Sequence, residues 1–66
     1  MQGTGPDIGS RWQHVTFSHM TITIVPKRYA KNNTRNVVWR CDTSGEIGGC
    51  HSYEWFYDDW KPLLFK

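Results

Sequence analysis

From Ser10 onward, Val, Ile, Thr and aromatic residues come in short runs, each cut off by a cluster of turn formers. That punctuation confines the chain to short strands and marks it as all-β. Arg11 to Phe17 alternates loosely, whereas Met20 to Val25 alternates cleanly, with Met20, Ile22 and Ile24 on one side and Thr21, Thr23 and Val25 on the other. Pro26 has no amide hydrogen for a ladder, so this strand is expected to reach an edge or bend there. Lys31 to Asn36 is a polar turn and Val37 to Cys41 a second strong strand, the two strands making a hairpin. Asp42 to Gly49 reads as a loop whose glycines 45, 48 and 49 are turn formers, leading to a short strand around Cys50 to Ser52. Ser52 is placed to cap a helical turn beginning at Tyr53, with Glu54 in its first turn, where a carboxylate suits the helix dipole. Pro62 is expected to end that turn and Leu63 to Phe65 to form a last strand. Residues 1–9, with three glycines and Pro6, read as a flexible leader ahead of one domain over residues 10–66.

A chain of 66 residues holds one small core, too small for most enzyme architectures. The predicted order is strand, long hairpin, strand, single helical turn, final strand. Ile8-Gly9-Ser10-Arg11-Trp12-Gln13-His14, Val37-Val38-Trp39-Arg40, and Glu54-Trp55-Phe56 through Trp60-Lys61-Pro62-Leu63 resemble the short SH3-like proteins abundant in phages and prophages. The resemblance spans residues 8–63, and the Gly-Gly-Cys-His segment at 48–51 departs from it. It implies a small SH3-like barrel of about five short strands with one short helical turn before the last strand, and a phage setting. No established activity comes with it.

The formal net charge of +2 conceals a division. Residues 8–41 carry Arg11, Lys27, Arg28, Lys31, Arg35 and Arg40 and no carboxylate, whereas residues 42–60 carry Asp42, Glu46, Glu54, Asp58 and Asp59 and no Lys or Arg. The two halves either face each other and stabilise the fold or point apart as separate binding faces.

Catalytic and metal chemistry find little support. Zinc prefers closely spaced ligand pairs, but Cys41 and Cys50 are separated by eight residues, and His51 adjoins Cys50 and points to the opposite strand face. The cysteines flank a hairpin loop and are either buried thiols or near enough to form a disulfide. A Cys-His dipeptide is not an activated nucleophile, because activation depends on side chains meeting in space. The glycines lack the lysine and long helix of a phosphate-binding loop. The chain is therefore expected to be no enzyme and to need no cofactor or metal. With no signal-like opening and no run of eighteen apolar residues, it is expected in the cytoplasm, off the membrane, as a monomer or small homo-oligomer.

Two binding readings remain. Tyr53, Trp55, Phe56, Tyr57, Trp60 and Phe65 are too many rings for one helical turn to bury. With Phe56 and Trp60 facing the core, Trp55 points outward, ringed by Glu54, Asp58 and Asp59. Trp55, Glu54, Tyr57, Asp58 and Asp59 are thus the candidate site of a protein-interaction module, serving as a host-factor-binding or inhibitory accessory protein with an unidentified protein partner. The alternative is a nucleic-acid-binding barrel that uses Lys27, Arg28, Tyr29, Lys31, Arg35 and Arg40 on the basic hairpin.

Overall fold

The computed structural model describes residues 5–31 and 35–63. Residues 1–4 of the expected leader, Asn32 to Thr34 of the expected turn and the final residues of the expected last strand lie outside the described residues. The elements are β1 (Arg11–His14), β2 (Thr21–Ile24), a 3-10 turn (Lys27–Tyr29), β3 (Val37–Cys41), β4 (Ile47–Cys50), α1 (Tyr53–Asp59) and β5 (Trp60–Pro62). All neighbouring strands are antiparallel, in the order β4-β3-β2-β1-β5.

The strand number and the helix before the last strand agree with the sequence reading, but the sheet is not a closed barrel: β4 and β5 are its two edges. Those edge strands are only four and three residues long. The helix joining them packs against both, so a helix rather than strand pairing bridges the gap.

Alternation divides the sheet into two faces. Cross-strand partners share a face, so Trp12, Ile22, Cys41 and Pro62 fall on one side, as do Trp39, Ile24 and Gly48. This is the core face. Its buried members are Ile22, Ile24, Val37 and Trp60, completed by Phe56 of α1 and flanked by Trp12, Met20, Trp39, Cys50 and Tyr53. Phe56 is the hub: its ring lies 5.0 Å from Trp12 edge-on, 5.8 Å from Trp39 and 6.4 Å from Trp60 between centroids. Trp39 and Trp60 close the circle at 5.4 Å. Burial of this much ring area supplies most of the apolar driving force in so short a chain. The opposite face carries Arg11, Gln13, Thr21, Thr23, Arg40 and Ile47. Val38, also on that face by register, is buried where the 3-10 turn comes against β3.

The helix forms where the cap signal placed it. The Ser52 hydroxyl accepts from the amides of Glu54 and Trp55 at 3.1 and 3.4 Å, satisfying donors that the first turn cannot. It ends at Asp59, not at Pro62, because Trp60 is already extended and enters the sheet opposite His14. Pro62 lies opposite Trp12 on an edge strand, where a missing amide hydrogen is tolerated. The last strand among the described residues is therefore Trp60–Pro62, and the Leu63 amide still donates to the Arg11 carbonyl at 3.0 Å.

The largest departure from the sequence reading is at the glycines. Gly45 is a turn former, with φ +77° in the β3–β4 connection. Gly48 and Gly49 instead lie inside β4, which begins at Ile47 rather than near Cys50. Gly48 stands opposite Trp39, and a methyl group on it would meet the indole Nε1 at 2.6 Å. Its bare α-carbon lets the indole lie across the strand toward Phe56, so the glycine serves packing rather than a turn. Residues 5–9 of the expected leader also have partners: the Gly9 amide donates to the Ile24 carbonyl at 2.8 Å, and Gly5 lies against Tyr53.

Gly48→Ala should cost about 1–3 kcal/mol, the usual penalty for overpacking a filled site. Denaturant titration measures the loss, and Trp39→Leu in the same background should make the added methyl group nearly neutral.

Candidate functional site

Each residue of α1 turns the side chain by about 100°, which sorts the candidate residues by face. With Phe56 aimed into the core, Trp55 lies on one flank beside Asp58 and Asp59, its neighbours at i+3 and i+4. Trp55 is 62% exposed, while the other three tryptophans belong to the core or border it. Glu54, Asp58 and Asp59 are exposed as well. Tyr57 falls on the opposite flank, its ring 5.7 Å from Trp12 and 5.5 Å from Phe56. The expected five-residue site therefore divides into an acidic group around Trp55 and a Tyr57 that packs along the core margin.

The β1–β2 connection adds residues that the sequence did not suggest. The Val15 amide donates to the Asp59 carbonyl at 2.9 Å, which brings this loop up to the last turn of the helix. Val15 and Phe17 are both exposed. His14 shapes the loop, its Nδ1 accepting from the amides of Thr16 and Phe17 at 3.1 Å each. No local sequence pattern pairs residue 15 with residue 59.

The basic residues gather on the other side of the molecule. Tyr29, Lys31, Arg35, Glu46, Ile47 and Gly48 line a shallow groove of about 530 Å3 along the start of β4. The Arg28 guanidinium lies 5.5 Å from the centre of the exposed Tyr29 ring. Arg40 is the register partner of Ile47 and is exposed beside it on the outer face. Lys27 is exposed at the start of the 3-10 turn. Arg35 is more committed: its side chain lies over the bare α-carbon of Gly49 and its Nη1 donates to the Gly49 carbonyl at 3.3 Å. Glu46, Ile47 and Gly48 were missed because the sequence reading made them loop.

An ion pair between Arg11 and Asp42 joins the two charge halves. Arg11 Nη2 donates to Asp42 Oδ2 at 2.9 Å, and Thr23 Oγ1 donates to Oδ1 at 2.7 Å. Partial burial pushes the Asp42 carboxyl up, but the hydrogen bonds from Thr23 and Arg11 outweigh it and hold the group below its ordinary value. The acidic helix covers the core face, whereas Arg40 and the Arg35 stem lie on the outer face. Beyond the Arg11–Asp42 pair, the acidic helix and the basic groove thus point apart.

The cysteines do not pair. Cys50 stands opposite Val37, four positions along β3 from Cys41, or roughly 13 Å at about 3.3 Å per residue. A disulfide spans no more than about 7 Å between α-carbons, so both thiols are free. Cys41 sits at the β3–β4 turn, where hydrogen bonds from Ser44 and Thr43 lower its thiol to about 7. Among the described residues, no three His, Cys, Asp or Glu side chains gather where a metal ion could sit. No helix among them is long and apolar enough to cross a membrane. Comparison with protein-family models, curated proteins and solved structures finds no match to this chain.

A carboxyl held low in the fold stabilises it fully above the unfolded value of about 3.9 and loses that effect as pH falls through the lower folded value. Asp42→Asn should therefore cost about 1 kcal/mol at neutral pH, a modest figure because Arg11 is largely solvated. Urea midpoints of parent and variant should converge below about pH 4. For Cys41, iodoacetamide labelling followed by peptide mass mapping should show a rate that rises between pH 6 and 8, as the thiolate forms with its midpoint at about 7.

Proposed function

We propose that this chain is a non-enzymatic protein-interaction module that captures its partner through Trp55 and the carboxylates beside it. The observation that carries this reading is the 62% exposure of Trp55 on a helix whose Phe56 is 1% exposed. Three tryptophans are gathered around Phe56 or beside its cluster, and the fourth stands in solvent with Asp58 and Asp59 one turn on. A large, stiff indole gains much contact area at little entropic cost when a partner covers it, and an acidic rim selects a basic partner and speeds encounter.

The fold is in keeping with this role. The open five-stranded sheet, with β5 on β1 and a short helix between β4 and β5, presents α1 as its covering element and leaves the helix's outer flank to solvent, which supports reading the fold as an opened SH3-like one. Together with the resemblance in the opening, β3 and C-terminal segments, this supports a phage-encoded accessory protein that binds a host or viral protein in the host cytoplasm.

Trp55→Ala should reduce capture of a protein partner from nuclease-treated host lysate by at least about tenfold while leaving the circular dichroism spectrum and melting temperature unchanged. Asp58→Lys with Asp59→Lys should slow association. Equal capture by the parent and Trp55→Ala would overturn the assignment.

A further inference from the structure

We infer that the groove between the 3-10 turn and β4 is a second binding site, on the face away from α1, that takes single-stranded nucleic acid. The groove combines the two features such a ligand needs: a ring on which a base can stack and cations along its rim for the backbone phosphates. Tyr29 supplies the ring, 51% exposed and already accompanied by the Arg28 guanidinium at 5.5 Å. Lys31 lies on the groove, and Arg40 extends the positive rim beyond Ile47. The floor is the half-exposed Ile47, with the backbone of Gly48 beside it.

Single strands fit better than duplex for two reasons. A base reaches a tyrosine face only when it is unstacked. The described structure also offers no helix on this face to enter a major groove; its seven-residue helix covers the opposite side. Glu46, a carboxylate lining the groove, sets the direction in which the ligand lies. It repels phosphate, so the backbone runs along Arg28, Lys31 and Arg40 and a base lies across Ile47 and Gly48. Arg35 holds the groove's shape through the Gly49 carbonyl and contributes field more than direct contact.

The test is fluorescence anisotropy with a labelled twelve-residue oligothymidylate and the full chain. With about three phosphates neutralised on a single strand, affinity should fall about twentyfold between 50 and 200 mM salt. Tyr29→Ala should weaken binding roughly tenfold and Tyr29→Phe should restore it, because stacking needs the ring and not the hydroxyl. Lys31→Glu should flatten the salt dependence, and Trp55→Ala should leave binding unchanged, which separates this site from the one on α1. Tyr29 and Lys31 are exposed and outside the core, so these variants fold. Absence of binding at 20 mM salt, or equal binding by the parent and Tyr29→Ala, would overturn the inference. Equally effective competition by polyglutamate would also overturn it, marking the groove as a site for acidic protein.

Discussion

An open sheet of five short strands has one apolar face and nothing of its own to put against it, so the structure depends on Phe56. That ring fills the space among Trp12, Trp39 and Trp60, and several neighbouring features deliver it there or make room for it. The Ser52 cap starts the helix at the right residue, and Gly48 leaves the gap through which Trp39 reaches the ring. Trp60 leaves the helix as a strand residue and becomes one wall of the same cluster. A core built this way sets one helical ring among the tryptophans and β-branched residues of a single sheet face, with no slack for a missing ring.

The same arrangement explains why the charges are where they are. Once α1 is committed to the core face, its remaining surface has to be solvated, and Glu54, Asp58 and Asp59 occupy it. Lys27, Arg28, Lys31 and Arg40 fall on the outer face of the hairpin and on its connection, whereas α1 meets the same hairpin from the core side through Trp39. Arg11 and Asp42 do bridge the two halves, near the end of β3 and with the support of Thr23. A small molecule with oppositely charged faces carries a field that orients it before it touches anything, and that field weakens with salt.

Much of this architecture was legible. The alternation of Met20 to Val25 gave the buried face of β2 correctly, with Ile22 and Ile24 buried, and the Ser52 signal gave the helix start. The outward position of Trp55 followed from the helical spacing of Phe56 and Trp60 alone. What local pattern did not reveal was long-range. Glycine's roles as turn former and as a space for a cross-strand indole look identical in sequence, and only the pairing of residue 48 with residue 39 distinguishes them. Closure into a barrel was likewise beyond local pattern, because it depends on whether two edges meet, and a seven-residue helix with a large ring does the same work. The groove at β4 is half visible in the sequence: its cations and Tyr29 stand out, whereas Glu46, Ile47 and Gly48 read locally as loop.

The two hydrogen bonds at Ser52 do more than start a helix; they set its rotational phase. In so short a helix, a slip of one residue would turn every side chain by about 100° and offer the core Trp55 or Tyr57 in place of Phe56. Both alternatives are aromatic, so hydrophobicity alone does not discriminate among them. A hydroxyl at the helix entrance thus determines which ring is hidden and which is displayed, and through that choice the identity of the surface presented to other molecules.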